Sequence, residues 1–181
     1  MFDALIARRT AHRYRAEPLP AGAMERGLEA ANHAPCHRLT FPWRFIRVGP
    51  RARSALSQLA VAIKAAKRPL AREDAARVVA KIMEPPELVV ACQWRSADPF
   101  QAREDYAACC CAIQNFCISL AGEDVCTKWS TGAITRDPRA WEILQVDPAR
   151  AEVIGFLWAG HGDVPGPVDR PALSDVVRSI P

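Results

Sequence analysis

The sequence predicts an α+β layer protein folded as one domain, and three observations lead there. Three short runs rich in β-branched, aromatic and other apolar residues, Trp43 to Val48, Leu88 to Cys92 and Val153 to Trp158, read as strands. Longer segments of helical periodicity separate them, so helices outnumber strands. The 181 residues, half of them hydrophobic, suffice for one core and are too few for two comfortable domains. No repeat, low-complexity tract or linker divides residues 1–181.

Taken in order, Phe2, Leu5 and Ile6 mark a short helix running into Arg8 and Arg9. After Pro18 and Pro20, apolar positions at Met24, Leu28 and Ala31 give a helix that Pro35 stops. The strand Trp43 to Val48 ends at Gly49-Pro50. From Arg51 to Met83 an Ala-, Arg- and Lys-rich stretch reads as helical with a break near Pro69. Pro85-Pro86 resets the chain before the apolar run Leu88 to Cys92, short enough for a buried strand. Gln101 to Ala121 contains no Pro or Gly and scarcely a charge beyond Tyr106, which predicts a helix buried on every side and a partner subunit to help bury it. Asp137-Pro138 is a helix start, Asp as N-cap and Pro in the first turn. The last strand follows, and Gly160 to Pro171 is an extended tail.

Charge and cysteine usage narrow the function classes. The net charge is +4, yet 20 of the 24 basic residues are Arg, scattered among Ala, and no basic run is interleaved with aromatics. Nucleic-acid binding is therefore not expected. No apolar run approaches the roughly 20 residues of a membrane span, and Arg8 and Arg9 interrupt the N-terminus where a signal peptide needs its apolar stretch. A cytoplasmic protein is expected, with seven reduced thiols. Cys109, Cys110 and Cys111 are consecutive, fan out roughly 100° apart on a helix and cannot converge on one ion.

Two stretches carry candidate chemistry. Arg8-Arg9-Thr10 offers paired guanidinium groups and a hydroxyl beside a helix, the donor set that suits a phosphate monoester. The turn-rich His33-Ala34-Pro35-Cys36-His37 leads into Pro42-Trp43-Arg44-Phe45, a loop placed to present binding groups. His33, Cys36 and His37 are ligand-like types, but they lack a fourth ligand and Pro35 fixes the turn, so no metal site is expected.

These residues resemble the FMN-dependent nitroreductase family. Arg8-Arg9-Thr10, Leu19-Pro20, Leu28-Glu29-Ala30-Ala31, Ala34-Pro35 and Pro42-Trp43-Arg44-Phe45 match its opening third. Ala112-Ile113-Gln114-Asn115 resembles its central helix. Trp129-Ser130-Thr131-Gly132-Ala133, Asp137-Pro138 and Ile154 to Gly160 resemble its last third, so the match covers nearly the whole chain. Short length and His37 are most similar to the compact, YdjA-like branch. The resemblance implies a central, mainly antiparallel sheet flanked by helices and an interlocked homodimer with FMN at its interface. It further implies NADH or NADPH as electron donor and a small-molecule electron acceptor. By the same resemblance Arg8, Arg9 and Thr10 hold the FMN phosphate and ribityl chain. His33 and His37 approach the flavin of the neighbouring subunit. Trp129, Ser130 and Thr131 form the segment over the isoalloxazine ring, with backbone N–H groups toward N5, and Arg170 is a second phosphate-binding cation. No side chain is expected to act as a catalytic acid or base, because the cofactor carries the hard step.

The sequence also departs from the family's pattern. Leu39 and Phe41 stand where most relatives carry Asn and Gln, His12 where many have Arg or Lys, and Cys36 in place of Ser or Asp. An apolar cavity over the flavin, and reduction of a substrate other than a nitroarene, are therefore open alternatives, as is a flavin- or small-ligand-binding protein with little turnover.

Overall fold

The computed structural model describes residues 2–166 and 168–180. Its centre is a four-stranded, wholly antiparallel sheet of order β1-β2-β4-β3, from β1 (Trp43–Arg47), β2 (Glu87–Trp94), β3 (Cys126–Ser130) and β4 (Ala151–Gly160). The expected α+β architecture, an antiparallel sheet flanked by helices, is what the chain adopts. Around the sheet lie α1 (Phe2–Ala7), α2 (Ala23–Asn32), α3 (Pro50–Ala65), α4 (Arg72–Met83), α5 (Pro99–Ala121) and α6 (Pro138–Ile143), and a last helical turn is α7 (Leu173–Val176). The predicted break in the 51–83 stretch falls between α3 and α4, around Pro69.

Alternation along the strands sorts the core into two halves. Val89 and Ala91 of β2 and Leu157 and Ala159 of β4 face α2 and α5, packed on Phe116, Ile113 and Leu120. Leu88, Val90 and Cys92 of β2 and Phe156 and Trp158 of β4 face the other way, toward Leu56 and Leu59 of α3, Ile82 of α4 and Ala140 of α6. A register shift at Ala91/Cys92 leaves Ile154 as an extra residue opposite and inverts the alternation, so that Val153 joins the core of Phe156 and Trp158 and Ile154 that of Leu157 and Ala159. β4 is thus buried along nearly its whole length, which explains its apolar run.

Helix α5 begins at Pro99, with Asp98 accepting the Phe100 N–H at 2.9 Å, the same Asp-Pro signal that Asp137-Pro138 supplies to α6. The expectation that α5 is buried on every side is not met within one chain. Ala108, Cys109, Ala112, Ile113, Phe116 and Leu120 are buried, but Phe100, Tyr106, Ala107, Cys111 and Gln114 form an exposed stripe. The sheet also contains a strand not anticipated, β3, whose Cys-Thr-Lys-Trp-Ser lacks any apolar run.

Arg53 ties α3 to the end of α4. Nine-tenths buried, its guanidinium donates to the carbonyls of Ile82 (2.8 Å), Met83 (3.0 Å), Pro86 (3.1 Å) and Pro85. It satisfies oxygens that the end of a helix and a Pro-Pro turn leave without amide donors. Arg53→Met keeps the stem and strands those buried oxygens. A loss on the order of 3 kcal/mol in urea unfolding is expected; a change within about 0.5 kcal/mol would show the carbonyls are satisfied without it.

Burial pushes the thiols of Cys92 and Cys109 up to about 12 from an ordinary 9.0. In the unfolded chain both ionise near 9.0, so above that pH the unfolded state holds fewer protons than the folded one. Stability therefore falls as pH rises from about 9 toward about 12. Urea midpoints measured under reductant at about pH 8 and about pH 10.5 should show the loss, and Cys92→Ala/Cys109→Ala should flatten it. An equally steep loss in the double variant would exclude these thiols as its source.

Candidate functional site

The segment from Arg8 to Arg15 is extended and pinned on both sides. Thr10 bridges Thr127 of β3, the Ala11 N–H donates to the Thr127 carbonyl at 3.3 Å, Tyr14 bridges Gly162, and the Arg15 N–H donates to His161 at 2.8 Å. Gly162 allows the approach, because a Cβ there would lie 2.4 Å from the Arg13 carbonyl oxygen. This strap and β3 form the walls of two cavities.

The first cavity, about 520 Å³, is lined by Arg8, Arg9 and Arg15 from the strap, Cys126 and Thr127 from β3, and Gly162 and Val164 from the tail. Its volume lies in the range of small-molecule sites. Three arginines line it with one carboxylate, Asp124, and of the three Arg15 is already paired with Glu17 at 3.0 Å. Arg9 also donates to the Gly166 carbonyl, folding the tail back over the strap. The donor set is that of a phosphate site: planar, permanently charged forks on a backbone held in place.

The second cavity, about 190 Å³, takes His12 and Tyr14 from the strap, Lys64 from α3, Lys81 and Val78 from α4, and Lys128 and Ser130 from β3, over a floor that includes Trp158. Strand alternation puts Lys128 and Ser130 on this face, opposite Trp158 and Phe156 of β4. The Lys128 ammonium is held below its ordinary pKa of 10.5 by burial and then by Lys81. The Tyr14 phenol is raised, chiefly by burial. Arg53 fixes the end of α4 that carries Lys81. The cavity can therefore take a flat group against Trp158 and Val78, with cations at its rim that favour negative charge on it.

Of the residues singled out from the sequence, Arg8 and Arg9 line the first cavity and Ser130 the second. Thr10 sits in the strap between them, and Thr131 follows Ser130 as β3 ends. The Trp129 side chain turns to the opposite face of the sheet, over Gly155, where a Cβ would lie 2.1 Å from its Nε1. Only its backbone shares a face of the site with Ser130. His33 and His37 are exposed and line neither cavity; His33 meets Glu29 at 3.0 Å. Arg170 is exposed in the tail and lines neither cavity.

The loop carrying His37 is held in an unusual shape. Arg38, Leu39 and Phe41 have φ of 59°, 53° and 44°, left-handed conformations rare outside glycine. Side chains of α5 clamp it: Arg38 donates to Gln101 (3.2 Å), and Thr40 (2.6 Å) and Gln101 (2.7 Å) both donate to the buried carboxylate of Asp105. The Phe41 N–H donates to the Cys36 sulfur at 3.2 Å. Leu39 and Phe41 are thereby displayed, 71% and 47% exposed, at the N-terminal end of α5.

Sequence reasoning missed Lys64, Lys81 and Lys128. A signal existed: the chain has only four Lys against 20 Arg, and three of those four line one cavity.

The profile of the Nitroreductase family matches residues 5–161. The Bacillus subtilis protein YfhC, named as an NAD(P)H nitroreductase, is 26% identical over 137 residues, 75% of this chain and 71% of that protein. A nitroreductase-like family protein from Bacillus cereus superposes with a TM-score of 0.85 at 20% identity, covering 99% of this chain and 95% of the other. A Desulfovibrio desulfuricans nitroreductase solved in complex with FMN superposes with a TM-score of 0.77 at 20% identity, covering 99% and 96%.

Proposed function

Because the chain belongs to the nitroreductase family, we propose that it is an FMN-dependent NAD(P)H oxidoreductase working as a homodimer, with residues 1–181 as one domain. The observation that carries this reading is the pair of cation-lined cavities along one strap, guanidinium groups in the larger and lysines in the smaller. Together they have the polarity of a phosphate-tailed, electron-accepting ring. Arg8, Arg9 and Thr10 hold the phosphate and ribityl chain, and Arg170 adds a cation as the tail folds over. Ser130 and Thr131, with the Trp129 backbone, border the ring. FMN held there would supply the redox chemistry, hydride transfer between NADH or NADPH and an electron-poor acceptor such as a nitroaromatic or quinone.

His33 and His37 are too exposed to serve a site within their own chain, which supports their approaching the flavin of a second copy. The exposed stripe on α5 supports the same assembly, since Phe100, Tyr106, Ala107 and Cys111 lack cover in one chain. Leu39 and Phe41, displayed beside it, favour aromatic acceptors over polar ones. Chain length and His37 support a place near the YdjA-like branch. Seven free thiols, together with the absence among the described residues of a helix long and apolar enough to cross a membrane, support a cytoplasmic setting.

The decisive experiment is anaerobic: the yellow purified protein is mixed with NADH or NADPH. Bleaching followed by recovery with an acceptor is expected, whereas bound flavin that neither nucleotide bleaches would mark a binding protein without turnover. Arg8→Ala should weaken FMN retention about 10- to 100-fold, from the loss of a charged, forked contact; unchanged flavin stoichiometry would remove the phosphate role. Light scattering should give about twice 19.9 kDa, and Ala107→Glu should split the particle. A flavin-loaded monomer in the unmutated protein would overturn the interface.

A further inference from the structure

A third cavity, of about 190 Å³, lies apart from the two along the strap. Its walls are Arg44 of β1, Cys92 and Trp94 of β2, Gln145 and Asp147 after α6, and Arg150 just before β4. The stretch of β4 from its Ala151 to Trp158 in the lysine-lined cavity spans about 23 Å. Arg44 and Arg150 both stack on Trp94, their guanidinium carbons 4.7 and 4.9 Å from the ring centre. Among the described residues neither arginine belongs to an ion pair, and the nearby Glu152 is taken by Arg95 at 3.5 Å.

The backbone around both arginines is fixed. Arg44 Nη1 donates to the carbonyls of Phe41 (3.0 Å) and Trp43 (2.6 Å), which orients the fork and leaves its other nitrogens for a ligand. The Arg150 N–H donates to the Asp147 carbonyl at 3.0 Å, and the Arg150 carbonyl accepts the Arg95 N–H at 2.8 Å. Gln145 adds an independent sign. Its N–H and that of Val146 donate to Glu142 (3.1 Å) and Trp141 (2.9 Å), the paired bonds that end a helix on a left-handed residue, ordinarily glycine. Gln145 adopts that conformation at φ 55°. A side chain is thus kept where the backbone disfavours one, and the residue that carries it lines the cavity.

The lining specifies the ligand. Two guanidinium groups with one carboxylate, Asp147, leave one positive charge in excess, which suits a monoanion. Asp147 is itself engaged, since its Oδ1 accepts the Ala149 N–H at 2.9 Å. Forked donors match the two oxygens of a carboxylate. The remaining wall is apolar, with Ile46, Val146 and Ala151, and burial pushes the Cys92 thiol up to about 12, so the floor stays uncharged at neutral pH. An apolar cavity of about 150 Å³ is enough to admit benzene, which limits the ligand's body to roughly one ring. We infer that this cavity is a binding site for a small monocarboxylate with an apolar body, its carboxylate shared by Arg44 and Arg150 and its body set against Ile46 and Val146. The site stands apart from the flavin reading and does not depend on it.

The test is a calorimetric titration of the purified protein, kept in excess FMN, with cyclohexanecarboxylate as probe, for the unmutated chain and for Arg150→Met and Arg44→Met. Saturable binding at one site per chain is expected. Each variant should weaken it about tenfold, and the uncharged cyclohexanecarboxamide should bind the unmutated chain about tenfold more weakly than the acid anion does. Arg150 is exposed, so methionine there leaves the core intact. Absence of saturable binding overturns the inference, as does binding that both variants leave unchanged. Inorganic phosphate binding more tightly than the carboxylate, with the same dependence on the two arginines, would overturn the ligand class. A probe that shifts the visible flavin spectrum while ignoring both substitutions would be seated over the flavin instead, and that too overturns the assignment to this cavity.

Discussion

The burial of β4 on both faces is the constraint on which the rest of the molecule depends. A strand covered on both sides needs two helical layers, and the alternation of Phe156 and Trp158 with Leu157 and Ala159 divides the apolar residues between them. Two strands take their places directly from it, and β1 follows through β2. β2 pairs along one edge of β4, and β3 along the other. The extra residue at Ile154 lets the two ends of β4 serve their cores despite a slip in register. Because β4 cannot move without opening both cores, β3 and the strap bridged to it sit on a fixed base, and the backbone that carries their cationic residues is held in place.

That rigidity matters for the chemistry proposed. Cations brought together without partners repel one another, and only a scaffold stabilised elsewhere keeps them so. Here the stabilising elements are identifiable. Arg53 closes the end of α4 just beyond Lys81, and the glycines at 155 and 162 admit the Trp129 indole and the Arg13 backbone where a side chain would collide. The strained 38–41 loop is handled in the same way, since the buried Gln101 and Asp105 of α5 grip it while its apolar side chains face outward. Both features hold unfavourable energy at the surface against a rigid support.

Much of this was legible in the residues. Strands β2 and β4 announce themselves because each is buried enough to be written mostly in apolar residues, and the edge strand β1 does so through Trp43, Phe45 and Ile46 ahead of the Gly49-Pro50 stop. The helix starts are legible because an Asp before a Pro has both the capping oxygen and the pre-set φ that a first turn needs; the same reasoning applied at Asp98-Pro99 finds the true beginning of α5. Strand β3 is harder. An edge strand of five residues with one core face shows Thr, Lys and Ser where a central strand would show Val and Ile, and what makes it a strand is its pairing with β4.

Local chemistry was set by the chain itself: which segments favour helix or strand, where turns fall, and that Arg8 and Arg9 present adjacent forked cations beside a helix. Those properties depend on neighbours within a few residues, so linear order carries them. The convergence of Lys64, Lys81 and Lys128, the turning of Trp129 away from Ser130, and the exposure of one stripe of α5 were decided only in three dimensions. Each depends on which face of one element meets which face of another, across separations that local propensities do not encode.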